Sequence, residues 1–219
     1  MRRKNIIAVI PAHNEENHIF KVVKETKKHV DTVIVVDDAS TDRTSELAKQ
    51  AGAISLRHIV NLQKGAALKT GCEAAILLGA DVIVMVDGDG QHNPKEIPLL
   101  VNKLNKVDFV FGSRNFDKNM PFVSRIGNKF LSALANFLYG RKITDSQTGY
   151  RAFNTRVYKK VVWNSRDYAV ESEVIKNVGK NNISYDEVKV STIYNDKYKG
   201  TTPLDGIKIA INMVRGKFA

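Results

Sequence analysis

Through its first 114 residues the chain alternates short aliphatic runs with stretches of helical spacing, and this alternation narrows the fold more than any other feature. The runs Ile6–Ile10, Thr32–Val36, Ile54–Arg57, Asp81–Val86 and Val107–Phe111 read as strands. Their apolar residues are mostly continuous rather than every second one, which is the pattern of strands buried on both faces. Between them, Glu15–His29, a segment opening at Ser40 or Thr41 and running to Gly52, Lys64–Leu78, and a segment from Pro94 to Leu104 read as helices. Pro94 suits a first helical position, where its missing N–H costs nothing. Strand–helix alternation of this kind predicts an α/β fold with a mostly parallel central sheet flanked by helices.

The second half is less regular. Val123–Tyr139 predicts a long helix, with Ile126, Phe130, Leu131, Leu134, Phe137 and Leu138 on one broad apolar face; Ser172–Val178 predicts a helix, Ile183–Ser191 a strand, and Pro203–Val214 a last helix. The 219 residues fit one compact domain spanning 1–219. No run approaches the ~18 apolar residues of a membrane span, and Arg2-Arg3-Lys4 leads into too short an apolar stretch for a signal peptide. Cys72 is the single cysteine, so no internal disulfide can form, and a cytoplasmic setting is expected. Of the net charge of +11, +9 falls in residues 115–219. Such an excess suits anionic partners, whether phosphorylated substrates, lipid headgroups or nucleic acid. Nucleic acid is disfavoured, because no recognition motif appears and aromatics are not interleaved with the basic residues.

The chemistry gathers where strands end, and parallel α/β sheets bind ligands beyond the carboxyl ends of their strands. Strand one ends in Pro11-Ala12-His13-Asn14-Glu15, strand two in Asp37-Asp38-Ala39-Ser40-Thr41-Asp42, and strand four in Asp87-Gly88-Asp89-Gly90-Gln91-His92. Residues two apart in extended chain point the same way, so Asp87 and Asp89 can reach one hard divalent cation, with Gln91 offering a further oxygen. Oxygen ligands select Mg²⁺ or Mn²⁺ over Zn²⁺, and a carboxylate pair leaves positions open for substrate phosphates. An EF-hand loop is excluded, since counting from Asp87 places His92 and Pro98 where Gly and Glu are needed. A nicotinamide site is disfavoured by the lack of a glycine-rich turn after strand one. Asp38 can still accept from a ribose hydroxyl or a base N–H. An aspartyl phosphatase would carry its Asp-x-Asp after strand one, and an acidic turn without function is the remaining alternative.

Taken together, Pro11-x-x-Asn14-Glu15, Val35-Val36-Asp37-Asp38-Ala39-Ser40-Thr41-Asp42, Asn61-x-x-Lys64-Gly65-Ala66-Ala67 and Asp87-Gly88-Asp89-Gly90-Gln91-His92-Asn93-Pro94 resemble the family-2 glycosyltransferases of GT-A fold. Gly112-Ser113-Arg114, Asp145-Ser146-Gln147-Thr148-Gly149-Tyr150-Arg151 and Glu171-Ser172-Glu173 are similar to the branch holding dolichyl-phosphate mannose synthases and related polyprenyl-phosphate glycosyltransferases. The resemblance spans almost the whole chain. It implies a nucleotide-sugar-binding half, residues 1–114, and an acceptor- and membrane-facing half, residues 115–219. Pro11, His13, Glu15, Val36, Asp38, Lys64, Asp87 and Gly88 would bind the nucleotide-sugar. Asp87, Asp89 and Gln91 would hold Mg²⁺ or Mn²⁺. Asp89, Arg114 and Arg125 would be catalytic, and Arg125, Arg151, Lys197 and Lys199 would meet the acceptor phosphate, with the loop Tyr194–Gly200 closing over the site. His13, where mannose synthases usually carry Tyr, and Gly88 and Gly90, in place of the commoner Ala and Leu, leave the sugar and the base (GDP or UDP) open.

The implied reaction is inverting transfer of a hexose or N-acetylhexosamine from a nucleotide-sugar to dolichyl or polyprenyl phosphate. Transfer to a growing glycan or another acceptor, and a non-catalytic nucleotide-sugar binding module, are the competing functions. The lipid substrate implies peripheral attachment to the cytoplasmic face of an anionic membrane, with the helices Val123–Tyr139 and Pro203–Val214 at the interface. Other residues carry plainer expectations. His13, His18 and His92 suit turns, Glu171 and Glu173 suit the first turn of a helix, and Tyr139, Tyr150, Tyr168, Trp163 and Cys72 suit packing.

Overall fold

The computed structural model describes residues 3–114, 122–193 and 203–218. The chain runs through β1 (Ile6–Ala12), α1 (Ile19–Thr26), β2 (Thr32–Asp37), α2 (Thr44–Gln50), β3 (Ile54–Arg57), α3 (Lys64–Leu77) and β4 (Val82–Met85). A 3₁₀ turn, Pro94–Glu96, leads into α4 (Ile97–Lys103), followed by β5 (Phe109–Arg114) and α5 (Phe122–Tyr139). Then come β6 (Arg151–Asn154), α6 (Tyr158–Val161), α7 (Val170–Lys180), β7 (Tyr185–Val190) and α8 (Pro203–Phe218).

The strands form one sheet in the order β3-β2-β1-β4-β6-β5-β7. All neighbours pair parallel except β6, which runs antiparallel to both β4 and β5. The expected α/β architecture is therefore observed, with one addition: β6 was not expected. Its four residues, Arg-Ala-Phe-Asn, carry too little apolar signal to stand out, yet all four are buried and Phe153 stacks on Phe109 at 5.5 Å. Because β6 lies between β4 and β5, it joins the second half of the chain to the sheet of the first half.

Each strand feeds both faces with a period of two, as the pleat requires. Ile7, Val9, Ile34, Val36, Ile83 and Met85 pack on one face with Ala67, Leu68 and Cys72 of α3 and Val174, Ile175 and Val178 of α7. Ala8, Ile10, Val33, Val35 and Val84 pack on the other with α1, α2 and α4. Each Val or Ile so buried is worth ~1.5–3 kcal/mol. Gly71 is needed for this packing: a Cβ there would lie 2.4 Å from Val9 Cγ1 and 3.1 Å from Val36 Cγ2, so only glycine lets α3 approach β1 and β2 so closely. A third, smaller cluster joins Leu131 and Ala135 of α5 to Ile209 and Met213 of α8.

The first helix is shorter than its periodicity suggested. Residues 15–18 form a turn in which the Glu15 carbonyl accepts from both His18 and Ile19 N–H, and Asn14 sits at φ 55°. That turn keeps the end of β1 irregular, with backbone and side chains facing the crevice above the sheet.

Candidate active site

A cavity of about 820 Å³ opens at the carboxyl ends of β1, β2 and β4. Of the expected site residues, Pro11, His13, Glu15, Asp38, Lys64, Asp87, Gly88, Asp89, Gln91 and Arg114 line it. Residues 128 of α5, 147–149 before β6, 167–169 and 171 around the start of α7, and 208, 209 and 212 of α8 add to the wall. The crevice is thus built from both halves of the chain.

The acidic pair sits where β4 stops. Gly88 and Asp89 form a turn rather than extended chain, Gly90 takes φ 76°, and Asp89 Oδ1 accepts the Gln91 N–H at 2.9 Å. The turn, not strand alternation, brings Asp87 and Asp89 to one cavity. A Cβ on Gly88 would come within 3.0 Å of the Pro11 carbonyl, so the small residue lets this turn pack against the end of β1.

The charges here are strongly coupled. Burial acts to raise the Asp87 carboxyl, but Lys64 Nζ, 2.8 Å from Asp87 Oδ1, outweighs it together with His92 and Arg114 and holds it below the usual range. Burial, and then the charge of Asp87, push the Asp89 carboxyl up. Two half-buried carboxylates, one of which raises the other's cost of ionisation, form a place where a divalent cation would be stabilised. Asp87, Asp89 and the Gln91 amide supply oxygen donors only, which fits Mg²⁺ or Mn²⁺. No cluster of three or more His, Cys, Asp or Glu suited to a metal occurs among the described residues.

Lys64, the first residue of α3, also reaches Glu171 Oε1 at 3.0 Å. Burial acts to lower its ammonium, but Asp87 and Glu171 raise it well above the usual lysine range. The start of α3 is pinned: the Arg166 carbonyl accepts from Gly65 N–H, Trp163 Nε1 donates to the Gly65 carbonyl at 2.8 Å, and a Cβ on Gly65 would lie 2.3 Å from the Ser165 carbonyl. Trp163 is accordingly buried, as expected, and also fixes the base of Lys64.

Asp38 is 3% exposed, and its carboxylate holds the following loop. Oδ1 accepts from Leu62 N–H at 2.9 Å and His58 Nδ1 at 2.7 Å, while Oδ2 accepts from Gln63 N–H at 2.7 Å. Gln63 is thereby kept at φ 74°, an unfavourable region for a residue with a side chain. Asp38 builds this wall of the cavity first, and only the remaining lone pair of Oδ2 is open to a ligand.

Arg114, at the end of β5, lies along Asp145: Nε donates at 2.7 Å and an Nη donates at 3.0 Å. Asp145 is fully buried, so this two-pronged pair holds the guanidinium at the cavity wall.

Three expected residues sit elsewhere. Val36 is fully buried in the packing against α3 and presents no side chain to the cavity. Arg151 is 2% exposed, lies 5.2 Å over the Phe111 ring, and donates to the Thr148, Ser146 and Glu171 carbonyls. It therefore braces the 146–151 segment from behind rather than facing a phosphate. Arg125, in α5, is half-buried and does not line the cavity. Lys197 and Lys199, with the whole loop 194–200, lie outside the described residues.

The structure also adds residues that the sequence reading assigned to turns or packing. His92 is 6% exposed, stacks on Tyr150 at 4.6 Å, and accepts the Asp87 N–H on Nδ1. Nε2 therefore carries the proton and faces Asp87 Oδ2 at 3.7 Å, while burial pushes the imidazole down to about 4. Tyr168 is 52% exposed at the cavity, with Lys64 Nζ 5.7 Å from its ring centroid. Glu171 stands in the first turn of α7, as expected, but is 4% exposed and ion-paired with Lys64. Lys208 and Asn212 of α8 face the cavity as well, and no local motif marks them.

Comparison with known proteins agrees with this geometry. Solved structures of glucosyl-3-phosphoglycerate synthase from Mycobacterium tuberculosis superimpose with TM-scores of 0.75 and 0.78 at 20% identity, covering 98% of this chain and 80% and 79% of theirs. The fold is therefore GT-A. Residues 7–162 match the profile described as Glycosyl transferase family 2. The chain belongs to glycosyl transferase family 2. It is 38% identical to an uncharacterized protein of Methanocaldococcus jannaschii, over 99% of this chain and 94% of that one. It is 34% identical to a UDP-N-acetylglucosamine–dolichyl-phosphate N-acetylglucosaminyltransferase of Methanococcus voltae, over 95% and 94%. Against a polyprenol monophosphomannose synthase of Mycolicibacterium smegmatis the identity is 26%, over 93% and 82%. These relatives support placement in the polyprenyl-phosphate branch of the family, and the protein is a glycosyltransferase.

Proposed function

We propose that the protein transfers a hexose or N-acetylhexosamine from a nucleotide-sugar to a polyprenyl phosphate, with inversion at the anomeric carbon. The observation that carries this reading is the common cavity of Asp87, Asp89 and Gln91 with the cations Lys64, Arg114 and Lys208. Carboxylates for a divalent ion and cations for phosphate stand face to face. The relative of 34% identity acts, by its name, on UDP-N-acetylglucosamine and dolichyl phosphate, and this makes that pair the first to test.

In this reading the segment 11–15 and the wall held by Asp38 receive the nucleoside. Asp87, Asp89 and Gln91 hold Mg²⁺ or Mn²⁺, which when bound would neutralise the charge that builds on the departing diphosphate. Arg114, fixed by Asp145, and Lys208 orient phosphate oxygens. An acceptor phosphate monoester has a second pKa near ~6 and is largely dianionic at neutral pH. It needs no strong base from the protein, and direct attack by its oxygen inverts the anomeric centre.

The acceptor is a lipid, and one surface suits it. Ile126, Phe130 and Phe137 of α5 and Ile207, Ile211 and Val214 of α8 are exposed, although the two helices pack on each other through Leu131, Ala135, Ile209 and Met213. Arg215 and Lys217 lie at the end of the same α8. A paired helical surface that is apolar and basic fits peripheral attachment to an anionic bilayer. No helix among the described residues is long and apolar enough to cross a membrane.

The test is transfer of labelled sugar from UDP-N-acetylglucosamine, UDP-glucose and GDP-mannose to dolichyl phosphate with Mn²⁺. Formation of lipid-linked sugar with one of these donors is expected. Absence of lipid product with every donor, alongside transfer to a soluble glycan, would replace this reading with the other acceptor class.

A further inference from the structure

We infer that Lys64 is a resident counter-ion for the cation site: it occupies Asp87 until a diphosphate arrives, then passes to the diphosphate and releases Asp87 to the divalent ion. This rests on the reading of Asp87 and Asp89 as cation ligands and adds to it an order of events.

The geometry is specific. Lys64 Nζ lies 2.8 Å from Asp87 Oδ1 and 3.0 Å from Glu171 Oε1, with the side chains of Lys64, Asp87 and Glu171 only 18%, 22% and 5% exposed. An ammonium in contact with Asp87 competes directly with a dication for that carboxylate, in a setting screened little by solvent. Arg114, another side-chain cation acting on Asp87, is committed to Asp145 through two bonds and is poorly placed to exchange. Lys64 is built for movement: its charge sits on a flexible four-carbon stem, and the half-exposed Tyr168 ring lies 5.7 Å from Nζ on the cavity side.

Its position in the chain points the same way. Lys64 opens α3, a helix of 14 residues with no acidic residue in its first turn. A cation there stands at the unfavourable end of the helix dipole, whereas an anion would be stabilised. Lys64 is held there by Asp87 and Glu171, and a diphosphate offers it a stronger partner. The consequence is coupling. The ion and the diphosphate each raise the affinity of the other, because one exchange of Lys64 serves both, and the coupling is reciprocal.

Mn²⁺ binding followed by electron paramagnetic resonance tests this, with UDP and GDP as the diphosphate probes. Wild-type protein is expected to bind Mn²⁺ weakly alone and at least about tenfold more tightly with one of the two nucleotides. Lys64→Met is expected to bind Mn²⁺ about tenfold more tightly than wild type without nucleotide, and to lose most of the coupling. Lys64→Met/Glu171→Gln removes one charge of each sign, so it guards against failure of the single variant to fold, and the same gain is expected from it. Unchanged or weaker Mn²⁺ affinity in folded variants, with coupling intact, overturns the inference and leaves the functional reading standing. No Mn²⁺ binding by wild type with either nucleotide overturns both.

Discussion

Gly149 lies against the carboxylate of Asp87: a Cβ built on Gly149 would stand 2.6 Å from Oδ2 and 2.8 Å from Oδ1. The segment before β6 thus packs against a proposed cation ligand just beyond the neighbouring β4 and sets its position. No positive φ requires glycine here, so the constraint is steric alone. Gly149→Ala is expected to displace Asp87, weaken Mn²⁺ binding and lower kcat/KM about tenfold or more, with a loss of only ~1–2 kcal/mol in stability. Unaltered Mn²⁺ affinity in this variant would show that the contact sets nothing.

Burial, and then the charge of Asp87, push the Asp89 carboxyl up. Binding a dication would relieve that cost. Asp89→Asn is expected to reduce kcat by ~10²–10³ while leaving the fold intact. Chelation of divalent ions should abolish transfer in the wild type, and added Mn²⁺ should restore it. Full activity of Asp89→Asn in chelator would remove the cation from the reaction.

Gln63 at φ 74° is held by the two N–H bonds that Leu62 and Gln63 give to Asp38. Gln63→Gly should be neutral or stabilising, because glycine accepts this conformation. Gln63→Val should cost ~2 kcal/mol or more, since a β-branched side chain cannot. Asp38→Asn should raise the donor KM more than it lowers kcat, through loss of the loop's anchor. Equal thermal stability of the Gly and Val variants would contradict the strain at this position.

Gly71 gives a prediction for the core alone. A methyl there would meet Val9 Cγ1 at 2.4 Å inside a packed helix–sheet layer. Gly71→Ala is expected to cost ~1–3 kcal/mol, outweighing the ~1 kcal/mol gain in helix propensity. At ~2–4 °C per kcal/mol for a domain of this size, the net loss should be visible by calorimetry.

Phe130 and Phe137 are 60% and 86% exposed on α5. Charge placed on that surface should weaken membrane attachment and spare the fold. Phe130→Glu and Phe137→Glu are expected to change stability by no more than about 0.5 kcal/mol, and to reduce the fraction pelleting with anionic vesicles. Pelleting equal to wild type would place the membrane contact elsewhere.

The parallel sheet and its polar strand ends were legible in the sequence because their causes are local. Continuous aliphatic runs bury on both faces wherever they lie, and polar residues that follow them must emerge at the carboxyl ends. Pro11, His13, Glu15, Asp38, Asp87, Asp89 and Gln91 reach one cavity for that reason. What the tertiary structure decided involves partners far apart in the chain. The insertion of β6, the burial of Arg151 against the Phe111 ring, the Lys64 bridge between Asp87 and Glu171, the stacking of His92 on Tyr150, and the placing of α8 along the cavity have no local signature. A charged residue reads alike in sequence whether it faces solvent or a buried carbonyl. Only packing fixes which, because the cost of burying a charge is met or not met by groups that the fold brings from elsewhere.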